Sequence, residues 1–229
     1  MAHRVLDSLC AMENNMVESR LVHVEYNSDN NINISDTMDN IKTLVSGILA
    51  GLCISIGCIV NLQVGGIPGA ILFTFGLLTV VHYGYRLYTG NAGWVIFGSL
   101  ESWKLLGLGL LGNLIGCLIT AEMCRICMPE LIPKVTELLG KRENVDVLGA
   151  LWRSCLCGFL MTTAVCFGRK SLWLPLIWAV PVFILAGFYH SIADCFYVVL
   201  RGQGDLGYGY FWEILGNFIG CNLYRLKMD

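Results

Sequence analysis

Charge is what this sequence has least of. Asp, Glu, Lys and Arg supply 14% of its 229 residues, where an ordinary soluble domain carries about 25%. None of the four occurs from Thr43 to Tyr85, and none from Ser171 to Ala193. Gaps of that length argue against a soluble fold and for a bilayer, because one span needs roughly 20 apolar residues. The first gap can hold two spans, with a break at Gln63-Val64-Gly65-Gly66-Ile67-Pro68-Gly69. A basic, aromatic-interleaved patch is also missing, and with a net charge of -2 no nucleic-acid partner is expected. A cleavable signal peptide is not expected either. Residues 1–40 are polar and Asn-rich, with Asn27, Ser28, Asp29, Asn30, Asn31 and Asn33 in a cluster, and the first apolar run begins only after them. This lead-in reads as loosely ordered, and Asp36 to Lys42 can start a helix.

Cysteine is plentiful, but the arrangements that would give it chemistry are missing. The eleven cysteines are odd in number, scattered in spacing and mostly set in apolar runs, as at Cys53, Cys58, Cys117, Cys157 and Cys221. That argues against a disulfide framework and for small hydrophobic packing. Cys124-Arg125-Ile126-Cys127 has no second pair at zinc spacing. No cofactor or metal is expected.

What is present is a set of six apolar segments, at about Ile41–Leu62, Ile67–Tyr85 with a continuation at Ala92–Ser99, Trp103–Met123, Val147–Phe167, Leu172–Tyr189 with a continuation to Leu200, and Tyr208–Leu226. The connection at 124–146 contains Pro129, Pro133 and the helix-like Val135-Thr136-Glu137-Leu138-Leu139, which fit a short interfacial helix. The second and fifth segments are too long for one span and are interrupted, at Gly84–Asn91 and at Gly187–Asp194. Irregular backbone at membrane depth is tolerated only where protein or a cavity covers it. The second interruption, Gly187-Phe188-Tyr189-His190-Ser191-Ile192-Ala193-Asp194, puts a histidine and an aspartate in one of the most apolar stretches. Ionisable groups at such depth mark functional sites.

The chain also repeats itself. Leu111-Gly112-Asn113-Leu114-Ile115-Gly116-Cys117 recurs 104 residues later as Leu215-Gly216-Asn217-Phe218-Ile219-Gly220-Cys221. The two interruptions are offset almost equally, with Gly84 and Gly187 103 residues apart. Three segments per half is an odd number, so the halves insert with opposite topology. Interrupted helices paired in an inverted repeat point to a substrate site at the midplane. The glycine spacing in both copies, and in Gly47-Ile48-Leu49-Ala50-Gly51, reads as close helix packing. The expected fold is an all-α polytopic membrane protein of two inverted three-helix repeats, residues 41–123 and 147–229, joined by 124–146. Lys42, Lys104, Arg169, Lys170, Arg225 and Lys227 fall on one side of this scheme, which places both termini in the cytoplasm by the positive-inside rule.

These residues resemble the formate/nitrite transporter family over about Ile41 to Leu226. Leu87-Tyr88-Thr89-Gly90-Asn91 is similar to that family's Leu-Phe-Thr-containing loop in the second helix. Gly187-Phe188-Tyr189-His190-Ser191-Ile192-Ala193 is similar to its Gly-Phe-Glu-His-Ser-x-Ala signature in the fifth. The two Gly-Asn-x-x-Gly copies, with Asn113 and Asn217, sit where the family has them, in helices three and six. The resemblance implies an aquaporin-like protomer with its own pore in the cell membrane, assembled as a homopentamer. It implies passage of small monovalent weak-acid anions, formate first, with nitrite and hydrosulfide next. Thr89 and His190 would face each other across the pore centre. Phe73 and Leu77 would form the constriction on the half built by the second helix, and Phe183 the one on the other half. Arg86, Leu87, Tyr88, Asn91 and Asp194 would shape the loops around that pair.

The sequence departs from the family pattern at four places. The acidic residue two positions after the loop glycine is Arg86, the glutamate before the histidine is Tyr189, the Asn four residues after it is Asp194, and a fourth-helix Asn is Gly158. Buried charges pair, so Arg86 and Asp194 are expected to interact across the two halves. A hold of Asp194 on His190, one turn away, competes for the same carboxylate. His82 is expected to pack against a neighbouring helix.

Electrostatics suggests the mechanism. Burying an unpaired anion costs of order 20 kcal/mol in the idealised limit and still several after relaxation, so a weak-acid anion is expected to neutralise. A central histidine, with an ordinary pKa of about 6.5, would protonate or hydrogen-bond it, helped by the partial positive charge of half-helix N-termini. Two other classes compete. A neutral-solute pore on the same architecture needs no titratable residue at its centre, and a membrane thiol or metal enzyme would use Cys124 and Cys127.

Overall fold

A computed structural model of the chain describes residues 34–142, 145–202 and 207–227. The lead-in expected to be loosely ordered, up to residue 33, and residues 203–206 of the expected turn lie outside the described residues. All regular structure among the described residues is helical.

Helix α1 spans Ile34–Val64 and starts ahead of the apolar run, with Asp36 in its first turn, where a negative charge suits the helix dipole. Gly65 and Gly66, both at positive φ, end it at the expected break. Helix α2, Gly66–Tyr83, stops at Gly84, whose left-handed φ of 67° lets its N–H return to the carbonyls of Val80 and Val81. Only glycine takes that turn without strain. The chain then runs through Tyr85–Leu87 into a single helical turn, α3 (Tyr88–Asn91), and a 3-10 turn, Ala92–Trp94. The apolar run at Ala92–Ser99 therefore does not continue the helix. Arg225 Nη2 instead takes the carbonyls of Gly93 and Val95, which satisfies backbone that a helix would have used internally.

Helix α4 covers Leu100–Cys127 and is capped by Ser99, whose Oγ accepts from the Ser102 N–H. The connection holds α5, Leu131–Gly140, with Leu131, Val135 and Leu139 buried on one stripe, the spacing of an amphipathic helix. Asp146 caps α6, Val147–Arg169. Helix α7, Trp173–Leu185, ends before Gly187, again at positive φ (69°). The chain resumes as α8, Ser191–Arg201, and closes with α9, Gly207–Asn222, and a 3-10 turn at Leu223–Lys227. The second interruption is thus shorter than expected: helix returns at Ser191, and His190 is its cap.

Among the described residues, four helices are long and apolar enough to cross a membrane, Asp36–Val64, Gly66–Tyr83, Leu100–Cys127 and Val147–Arg169, and Trp173–Leu185 is a shorter apolar one. Helix α9 packs along α6, α2 against α7 and α4 against α8. Backbones touch at the glycines: a Cβ on Gly220 would lie 1.9 Å from the Cys155 carbonyl oxygen.

Candidate functional site at the two broken helices

His190 and Thr89 meet where the two broken helices face each other. Thr89 Oγ1 lies 2.9 Å from His190 Nε2, and both residues are buried. The other ring nitrogen is already engaged: Nδ1 accepts the Ala193 N–H at 3.1 Å as the cap of α8. A neutral imidazole has one donor and one acceptor, so this cap leaves the ring proton on Nε2, donated to Thr89. An imidazolium would lose the cap, since both nitrogens would then be donors.

Phenylalanines cover the pair. The Phe183 ring stacks on His190 at 5.6 Å, and Phe73 meets Phe183 edge-on at 5.8 Å. Phe73 and Phe183 therefore share one cluster, rather than standing in separate constrictions, because α2 packs on α7. Leu77, one turn further along α2, is fully buried. His82 packs against the Tyr83 ring.

Two asparagines hold the broken backbone, and they do so identically. Asn113 Oδ1 accepts the Tyr88 N–H at 2.8 Å, and its Nδ2 donates to the Gly47 and Arg86 carbonyls. Asn217 Oδ1 accepts the Ser191 N–H at 2.9 Å, and its Nδ2 donates to the Ser154 and Tyr189 carbonyls. Each side chain thereby satisfies groups that the interruption would orphan. The cysteines that end the repeated motif reach across: Cys117 Sγ lies 3.3 Å from the Ile192 carbonyl and Cys221 Sγ 3.2 Å from that of Thr89. These two thiols are donors to the opposite broken element as well as small hydrophobes. Within the loop, Asn91 Nδ2 bonds the Leu87 carbonyl, Leu87 is buried, and the Tyr88 hydroxyl donates to the Ile214 carbonyl.

The cation paired with Asp194 is not the expected Arg86. Asp194 Oδ1 is 2.5 Å from Nη1 of Arg142, in the connection after α5. Burial opposes the guanidinium's charge, but the Asp194 carboxylate outweighs it and holds Arg142 above its ordinary pKa. The Arg142 guanidinium also lies over the Tyr189 ring at 4.7 Å, with Arg153 at 5.7 Å. Arg86 is anchored through its backbone, its N–H donating to Ser46 Oγ. Lys134, Glu137, Lys141, Arg142, Arg153, Phe183 and His190 line one cavity of 520 Å³.

The model of the formate/nitrite transporter family matches residues 30–224. The chain belongs to this family. Nitrite transporter NirC of Escherichia coli (strain K12) is 24% identical over 205 residues, covering 76% of each chain. The uncharacterized transporter YrhG of Bacillus subtilis (strain 168) is 28% identical over 211 residues, covering 77% of this chain and 76% of its own. Among solved structures, a pentameric formate channel with formate bound superposes with a TM-score of 0.70 at 20% identity, over 83% of this chain and 96% of that one. An FNT family ion channel superposes with a TM-score of 0.72 at the same identity, over 82% and 89%.

Within the formate/nitrite transporter pattern, two of the four departures converge on one cation. Tyr189 and Asp194 both contact Arg142, so the carboxylate stands four residues after the histidine instead of one before it. Gly158 has no room for the Asn, since a Cβ there would lie 2.2 Å from the Asn217 carbonyl oxygen. Sequence reasoning missed Arg142 and Arg153. The signal was available: a charge at the depth of Asp194 requires a partner, and the connection holds only Lys134, Lys141 and Arg142 as cations past Arg125.

Proposed function

We propose that the chain is a membrane channel or transporter for small monovalent weak-acid anions, with formate the first candidate and nitrite or hydrosulfide next. The observation that carries this reading is the Thr89–His190 hydrogen bond at the junction of the broken helices, beneath the Phe183 ring. An anion arriving from the basic-lined cavity would take hydrogen bonds from His190 Nε2–H and the Thr89 hydroxyl, donors held in place before it arrives. The cap bond at Nδ1 favours hydrogen bonding by His190 over proton storage on it. Phe73 and Phe183 act as one hydrophobic gate and Leu77 as a second. Residues 41–123 and 147–229 form inverted halves of six membrane segments joined by 124–146, in an aquaporin-like protomer of a homopentamer. Both termini lie in the cytoplasm, and the chain carries out no chemistry on a substrate beyond proton exchange.

The deciding experiment is flux in proteoliposomes across formate, nitrite, hydrosulfide and lactate at several pH values. Saturable, His190-dependent flux of one or more anions is the expected result. Equal passage of glycerol or water with no anion flux would overturn the reading in favour of a neutral-solute pore.

A further inference from the structure

Beside Asp194 lies a second acidic side chain. The Glu213 carboxyl on α9 lies within hydrogen-bonding reach of the Asp194 carboxyl. Arg142 takes Oδ1 of Asp194, but Asp194 Oδ2 and Glu213 Oε2 are both buried and meet no donor among the described residues. Two carboxylate oxygens can bond each other only if one carries a proton.

We propose that Asp194 and Glu213 share one proton and form the proton-binding site of the cavity that leads to His190. Charge balance supports this. One guanidinium faces two carboxyls, and a second ionised carboxylate would be left buried without a counter-charge. Among the described residues, Cys58 of α1, Cys157 of α6, Cys195 and Tyr197 of α8, Tyr210 of α9 and Tyr189 also surround the pair. These are ordinarily neutral near pH 7 and supply no positive charge. His190, Lys134 and Glu137 of α5, and Lys141 just after it line the same cavity as Asp194. Arg153, also on that cavity, donates to the Gly187 carbonyl and lies over the Tyr189 ring.

The pair is also placed for use. Asp194 lines the same cavity as His190, and its N–H bonds the His190 carbonyl. In the observed geometry His190 carries a single ring proton, so it has none to release without becoming an anion. The proton that neutralises a weak-acid anion must then come from another group, and this step rests on the anion-channel reading above. The O–H bond within the pair breaks and a new one forms on the anion. The products are a neutral acid and two carboxylates beside Arg142, and hydronium from cavity water restores the shared proton.

Infrared spectroscopy on the full chain in lipid nanodiscs tests the pair without reference to transport. At neutral pH the wild type should show a protonated-carboxyl carbonyl band that shifts in D2O and disappears as pH rises. Glu213→Gln should remove that band and His190→Ala should keep it. Absence of the band in the wild type, or its persistence in Glu213→Gln, would overturn the proposal, and the wild-type titration decides even if the variant fails to fold. In proteoliposomes, Glu213→Gln should abolish acid stimulation of formate flux. Acid stimulation unchanged in Glu213→Gln would remove the pair's role in proton supply. A band with no anion flux would refute the channel reading alone.

Discussion

His190 is used through both of its nitrogens, and the two uses can be separated by substitution. Nδ1 starts helix α8 by accepting the Ala193 N–H, while Nε2 meets Thr89. Asn is a strong helix cap but does not place a ring N–H at the Nε2 position. His190→Asn should therefore keep the fold and lose anion selectivity in the flux assay, whereas His190→Ala should also lose about 0.5–2 kcal/mol of stability with the cap. Equal stability of the two variants in thermal unfolding would discard the cap argument. Asp194 is buried and its partner Arg142 partly buried, and removing one member of a fully buried pair costs about 3–5 kcal/mol, an upper bound for this one. Arg142→Met should destabilise by up to that amount, and adding Asp194→Asn should restore part of the loss, a coupling that a double-mutant cycle measures. Strictly additive losses would mean that the pair contributes nothing as a pair.

Interruption of a helix in lipid is stable only when something outside it completes the hydrogen bonds. Here each break receives one asparagine and one thiol from the repeated motif, carried on α4 and α9. Asn217→Ala would leave the Ser191 N–H and the Tyr189 carbonyl buried and unpaired, at about 1–3 kcal/mol each. The expected outcome is a lower thermal midpoint and faster amide exchange at the start of α8, with Asn113→Ala doing the same around Tyr88. If exchange rises throughout the molecule instead, the asparagines brace the whole bundle and not the breaks. Close approach of α6 and α9 at Gly220 leaves no space for a side chain. Gly220→Val should cost at least about 1–3 kcal/mol through overpacking, seen as reduced yield of folded protein in detergent.

For the whole molecule, the proposed arrangement makes topology and assembly measurable. Labelling of single introduced cysteines on a background without the accessible native ones should put both termini on one side of the membrane and the α5 connection on the other. Cross-linking in membranes should end at five subunits. Seven spans, or termini on opposite faces, would remove the inverted-repeat scheme. The exposed apolar residues Phe75, Leu148, Trp152, Trp178 and Leu185 are available to lipid or to neighbouring protomers in such an assembly.

Much of this was legible in the sequence because its causes are local. Runs without charge mark apolar helices, glycines at positive φ mark their ends, and an exact repeat of Gly-Asn-x-x-Gly-Cys marks two equivalent braces. The motif around His190 and the loop at Thr89 identified the pair that now meets at 2.9 Å. What only the tertiary structure decided was which distant groups share a site. Asp194 could pair with any cation able to reach it, and helix packing delivered Arg142 rather than Arg86. The same packing joined Phe73 to Phe183 and brought Glu213 from α9 against Asp194. Glu213 stands in an amphipathic-looking stretch where nothing in the spacing distinguishes a buried acid from an exposed one. Periodicity tells which face of an element is apolar, while partner choice depends on distances that exist only after the elements have packed.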